Sequence, residues 1–295
     1  MVATDRKVSG KPAHGSAGSV KGAERQPALL TDAKALIMSG YGINSEMETR
    51  EALFRAGMDS DIVHINDLIS ERKRLADYRL LVFPGGFSYG DDTGAGNAYA
   101  NRVRNNLWRD VEKFLEGDNL VLGICNGFQI IANLGLVPAF DHSFDRSIAL
   151  MPNRNGVLEC RFVTLKPAAG NLWTRDIKKI YCPVSHGEGN FFCSDETLQR
   201  LKNQHMIAFQ YCRQDLSPAQ GEYPDNPNGS LLDIAGITSE DGKVLGLMPH
   251  PERAMEFTNL YDWPYRKELL KRQGKELPRE SLNMQFFKNI VRYFR

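Results

Sequence analysis

The chain has 295 residues, 42% hydrophobic and 25% charged, which is room for one large α/β domain or two ordinary ones in a soluble globular protein. Its 37 basic and 36 acidic residues leave a net charge of +1, so nothing in the charge balance calls for nucleic acid or a membrane surface as partner. No apolar run approaches the roughly 18 residues of a membrane span, no secretory h-region opens the chain, and five cysteines without CxxC spacing fit reduced thiols in the cytoplasm.

Residues 1–32 are rich in Gly, Ser, Ala, Lys and Arg with no apolar period, and are expected to be a disordered extension. Residues 33–295 are expected to form one folded unit. Ala35-Leu36-Ile37-Met38 reads as a first strand, and Ser45 with Glu48 as a capping box opening a helix that Gly57 stops. Ile62-Val63-His64-Ile65 and Leu80-Leu81-Val82-Phe83 read as two more strands, the latter followed by Pro84-Gly85-Gly86-Phe87. An amphipathic helix through Val103, Leu107, Val111 and Phe114 ends at Gly117, and Leu120 to Ile124 is a strand that breaks at Cys125. Such alternation implies a parallel sheet covered on both faces. After Pro138 the pattern turns more antiparallel, with strands at Val157–Leu165, Ile180–Val184, Met206–Cys212 and Val244–Met248 and a turn at 226–229. The charged segment 262–280 reads as an exposed excursion, and 282–294 as a closing amphipathic helix.

Three stretches carry chemistry. At Cys125 a strand gives way through a sharp turn to a helix. Free backbone N–H groups and the positive helix end therefore stand ready for a negative charge, and Gly123 and Gly127 relieve crowding at the elbow. A nucleophile and a buried core thiol both fit this local pattern. His250 follows the Val244–Met248 strand between Pro249 and Pro251. A chain held extended by the prolines would project His250 and Glu252 the same way, as a base and its orienting carboxylate; an exposed rigid turn fits equally. Gly85-Gly86 after the Leu80 strand offers N–H groups to an oxyanion, or is a plain turn. The three stretches end strands on the carboxyl edge of the sheet, where ligands bind in open α/β folds. Cys182 and His186 are four apart, but Pro183 breaks any helix aligning them, so no metal site is expected.

Together, Gly123-Ile124-Cys125-Asn126-Gly127-Phe128-Gln129 and His250-Pro251-Glu252 resemble the nucleophile and second catalytic motifs of the class I glutamine amidotransferases. Gly86-Phe87-Ser88-Tyr89-Gly90-Asp91, His186-Gly187-Glu188-Gly189, Asn228-Gly229-Ser230 and Asp233-Ile234-Ala235-Gly236-Ile237 narrow the resemblance to the glutaminase components of phosphoribosylformylglycinamidine synthase. It covers about residue 34 to the end.

The resemblance implies a flavodoxin-like, mostly parallel sheet with helices on both faces and added antiparallel strands. It implies a Cys125, His250, Glu252 triad, an oxyanion hole from the Gly86 and Asn126 N–H groups, and substrate contacts from Phe87, Gln129, His186, Gly187 and Glu188. L-Glutamine would be hydrolysed through a cysteinyl thioester. The chain carries no P-loop, so ATP and Mg are expected on a formylglycinamide ribonucleotide synthetase subunit, together with a small bridging subunit of the kind the family sometimes uses. Trp263, Tyr265, Arg266 and Lys267 are either part of that contact or a solvated loop. The alternatives are a free-standing thiol hydrolase such as a γ-glutamyl hydrolase, an amidotransferase serving another acceptor, and a non-catalytic binder on the same fold.

Overall fold

The computed structural model describes residues 28–295. Most of the expected extension, residues 1–27, lies outside the described residues. Residues 28–32 do not belong with it: the Leu30 N–H donates to the Gly57 carbonyl at 2.8 Å and the Thr31 hydroxyl to the Phe294 carbonyl at 3.0 Å.

Strand and helix alternate first, as β1 (Lys34–Ser39), α1 (Glu46–Ala56), β2 (Asp59–His64), α2 (Ile65–Ile69), β3 (Leu80–Phe83), α3 (Asn97–Glu116), β4 (Leu120–Ile124) and α4 (Asn126–Asn133). Then come β5 (Ile148–Pro152), β6 (Glu159–Pro167), β7 (Ile180–His186), β8 (Glu188–Cys193), α5 (Asp195–Asn203), β9 (Ile207–Cys212), β10 (Ile234–Thr238), β11 (Val244–Leu247), α6 (Trp263–Arg272) and α7 (Met284–Tyr293). Strands β5, β8 and β10 and helices α2 and α5 have no counterpart among the sequence expectations. β8 opens on Glu-Gly-Asn, residues depleted in strands, and β5 is short and half-exposed.

Nine strands form one sheet in the order β2-β1-β3-β4-β11-β10-β9-β6-β7, while β5 and β8 pair as a separate antiparallel ribbon. Pairing is parallel from β2 through β11 and antiparallel from there to β7. The antiparallel half thus extends the same sheet, and β11 returns from it to lie parallel to β4. Every residue of β3, β4 and β11 is buried, as strands apolar on both faces must be in a sheet covered by helices. Helix α7 closes the core with Phe286, Phe287 and Ile290, all 0% exposed, each burial contributing about 1.5–3 kcal/mol.

Two local expectations fail. Ser45 precedes α1 but its side chain caps no helical N–H; its Oγ instead accepts from the Arg253 guanidinium at 2.7 Å, and Glu48 stands 3.7 Å from the same guanidinium. Tertiary contacts with Arg253 replace the local cap. The segment 262–280 is exposed for much of its length but contains α6. There Arg266 pairs with Asp262 at 2.7 Å and lies over the Tyr181 ring, and Lys267 lies over Trp263. Of the four residues considered as docking contacts, Tyr265 and Lys267 are exposed, and Trp263 and Arg266 are half-buried.

Candidate active site

Strands β3, β4 and β11 are direct neighbours, and their registers pair Phe83 with Gly123 and Leu247 with Ile124. The three therefore run out at one level on the carboxyl edge, and the chain after each carries one part of the site.

Cys125 takes φ 53° and ψ −109°, a conformation that costs a non-glycine residue about 1–3 kcal/mol and persists only where its surroundings enforce it. They do so here. Its N–H donates to the Leu247 carbonyl at 2.8 Å, extending the β4–β11 ladder by one residue, and its carbonyl accepts from the Gln129 N–H at 3.1 Å as the first bond of α4. A Cβ on Gly127 would stand 1.7 Å from the Phe83 carbonyl oxygen, so α4 can start this close to β3 only with glycine there. The thiol is 3% exposed, and its Sγ lies 3.8 Å from the Ser185 carbonyl of β7.

His250 is anchored by its N–H donating to the Pro183 carbonyl at 2.8 Å. Its Nδ1 is 2.6 Å from Glu252 Oε1, with both side chains buried. The two do not meet along an extended chain. Pro251 opens a 3-10 turn, Pro251–Arg253, which curls the carboxylate back onto the imidazole. Burial alone pulls the His250 pKa down, but the negative charge of Glu252, and after it that of Cys125, prevails and lifts it to about 10. Its Nε2 and the Glu252 Oε2 have no hydrogen-bond partner among the described residues. Gly85 makes room for this ring, since a Cβ there would stand 2.5 Å from His250 Cε1. The ring that Gly85 accommodates lies far away in the chain, so no local spacing assigns this role to Gly85.

Of the N–H groups expected at the oxyanion, that of Asn126 opens α4, ahead of the first helical hydrogen bond. That of Gly86 lies between Gly85, whose carbonyl accepts from Asn44 and Ser45, and Phe87, whose N–H donates to Gly42.

The expected substrate contacts gather around the elbow, but several are already engaged with protein. The Asn126 side chain accepts from the Ser88 N–H at 3.1 Å and donates to Gln129 Oε1 at 2.8 Å; Gln129 Nε2 donates to the Glu188 carbonyl at 2.6 Å. Glu188 Oε2 accepts from the Ala95 N–H at 3.1 Å, and the Gly187 carbonyl accepts from the Asn153 N–H. Phe87 is 40% exposed. The segment His186 to Gly189 is the corner between β7 and β8 rather than a free loop. His186 itself is 1% exposed, and burial, reinforced by the nearby His250, pushes its pKa down to about 3. Burial thus disfavours the charged form of this imidazole.

Asp91 was not expected here. Its Oδ1 lies 3.4 Å from Asn126 Nδ2, and burial, with the charge of Glu188, raises its carboxyl to about 6. Its place in the Gly86–Asp91 motif was the available signal. Cys182 is fully buried, and burial together with the Glu252 charge pushes its thiol well up, which suits a core residue.

A cysteine on a strand-to-helix elbow, with a buried histidine–glutamate pair at the end of the neighbouring parallel strand, is the arrangement expected of a glutamine amidotransferase of the class I type. Residues 32–294 match the model of the CobB/CobQ-like glutamine amidotransferase domain, and the chain belongs to that family. Within it, the chain is a member of the PurQ subunits of phosphoribosylformylglycinamidine synthase. It is 49% identical to the subunit PurQ of Methanococcus maripaludis strain S2, covering 88% of this chain and 97% of that one. A chain of the solved PurLQS structure from Thermotoga maritima has a TM-score of 0.64 and 27% identity, covering 89% of this chain and 99% of that one. The phosphoribosylformylglycinamidine synthase of Drosophila melanogaster is 36% identical over 79% of this chain, a match occupying 18% of that longer protein.

Proposed function

We propose that this chain hydrolyses L-glutamine at Cys125 and hands the ammonia to a separate ATP-dependent synthetase that aminates formylglycinamide ribonucleotide in purine biosynthesis. The observation that carries the reading is the His250–Glu252 pair, 2.6 Å apart and buried behind the elbow that bears the thiol.

The Cys125 sulfur, as thiolate beside the imidazolium of His250, attacks the side-chain carbonyl carbon of glutamine. The carbonyl electrons move onto oxygen, where the Gly86 and Asn126 N–H groups receive the charge. Collapse of that adduct expels the nitrogen, which takes a proton from His250 Nε2 and leaves as ammonia, with the glutamyl group held as a thioester on Cys125. Glu252 keeps Nδ1 protonated throughout. Neutral His250 then takes a proton from water, whose oxygen attacks the thioester, and glutamate departs as the thiolate returns. Gln129, Gly187, Glu188 and Phe87 contact the substrate in this reading.

ATP and Mg act on the partner in this account, since no P-loop occurs in the sequence. The Drosophila relative supports a division of labour, because the match to this chain takes up less than a fifth of that protein. The PurLQS neighbour supports a complex with a synthetase and a small third subunit. Among the described residues no helix is long and apolar enough to cross a membrane, and the five cysteines are unpaired, which supports a reduced, cytoplasmic setting. Residues 33–295 act as one amidotransferase unit in this reading. The test is glutamate release by the purified chain alone and with its synthetase. Slow release alone and a strong rise with the synthetase, ATP and formylglycinamide ribonucleotide is expected; fast release indifferent to the synthetase would mark a free-standing hydrolase.

A further inference from the structure

The buried imidazole of His186 has one end occupied and one end empty. Asn153, 3% exposed, sets which is which. Its amide Nδ2 donates to two backbone carbonyls, Val157 at 2.8 Å and His186 at 2.7 Å. The amide orientation follows from those two acceptors, so the atom facing His186 Nδ1 at 3.0 Å is the carbonyl Oδ1. An oxygen without a proton must receive one, so Nδ1 carries the hydrogen. Nε2 is then a bare lone pair, buried and without a partner among the described residues. Gly189 lets the ring lie against the backbone, since a Cβ there would come within 2.5 Å of it.

His186 lies next to the nucleophile in the fold: residue 185, immediately before it on β7, has its carbonyl 3.8 Å from Cys125 Sγ. A buried acceptor left open beside a nucleophile costs folding free energy unless the substrate fills it. Resting on the glutaminase reading above, we propose that Asn153 holds His186 as the neutral Nδ1–H tautomer, so that Nε2 accepts a hydrogen bond from the substrate's carboxamide N–H and the site selects glutamine over glutamate. A carboxamide offers Nε2 a donor. A carboxylate offers only lone pairs, and repulsion at that point helps to eject the product. His186 therefore serves the reacting end of the substrate rather than its amino-acid end. Asn153 is a positioning residue that acts through it.

Two measurements test this. In protein labelled with ¹⁵N-histidine, His186 is expected as the neutral Nδ1–H form throughout about pH 6 to pH 9; an Nε2–H or doubly protonated ring in that range overturns the proposal. In the complex with its synthetase, Asn153→Asp puts a carboxylate on Nδ1, favours the imidazolium and turns Nε2 into a donor. The glutamine KM should rise by about 10-fold or more while the inhibition constant of glutamate falls. Constants that stay unchanged, or weaken together as in a merely damaged site, overturn it. Should the variant not fold, the spectrum of the unmodified protein still decides. A wild-type complex that releases no glutamate would instead sink the functional reading itself.

Discussion

The Nδ1 of His250 and the Oε1 of Glu252 stand 2.6 Å apart where neither side chain is more than 1% exposed. A buried charge pair of this kind is costly unless its charges are used. Here Nδ1 of the imidazole is engaged by the carboxylate, and Nε2 has no partner among the described residues, which leaves it free for the proposed proton transfers.

Glu252→Gln keeps the shape and removes the charge. Glutaminase kcat should fall by about 10²- to 10⁴-fold with the glutamine KM little changed, because orientation and charge are lost at the transition state rather than in binding. Steady-state kinetics of the complex checks this; a variant within a few-fold of wild type would remove Glu252 from the machinery.

The same pair governs stability against pH. His250 has an ordinary value of 6.5 and is raised to about 10 in the fold, so the folded protein holds this proton more tightly than the unfolded chain. The stabilisation is fully present below 6.5 and is lost as the pH climbs through about 10. The urea-midpoint advantage of wild type over Glu252→Gln should therefore shrink between about pH 7 and about pH 10.5. An advantage that grows over that range would contradict the assignment.

Asp91 carries the opposite consequence. Its carboxyl, with an ordinary value of 3.8, is raised to about 6, so the folded state is favoured while it is protonated and loses that contribution as the pH rises from about 4 to about 6. Asp91→Asn should gain in urea midpoint relative to wild type above pH 6 and not at pH 4. Equal differences at both would show that the Asp91 carboxylate is not held at a cost.

Gly85 separates site from fold. A methyl group there would press on His250 Cε1 at 2.5 Å without an unfavourable backbone angle of its own. Gly85→Ala should lower kcat by about 10²-fold, the usual consequence of a displacement near 1 Å, while the melting temperature moves by only a few degrees. Thermal unfolding and kinetics measured together check it.

These contrasts show what a sequence can carry. Strands β3 and β4 were legible to the residue because an apolar run bounded by turn residues is a local signal, and Gly57 ends α1 in the left-handed conformation that favours glycine. The elbow at Cys125 was visible as a pattern, but only the adjacency of β11 to β4 brings His250 to it, and adjacency is a property of the whole sheet. What escaped was of two kinds. Strand β8 begins with residues that disfavour strands and forms because β5 is there to pair with it. Asn153, Gly85 and Ser185 matter through partners scores of residues away, and no local spacing announces them. The failed cap at Ser45 belongs with these, since Arg253 reaches it from the far end of the chain.

Labelling with a glutamine-analogue electrophile, followed by mass mapping of the modified residue, tests the central claim most directly. The account predicts covalent modification at Cys125 with loss of glutaminase activity, and none in Cys125→Ala. Modification that persists in Cys125→Ala, or that maps to the buried Cys182, would contradict it.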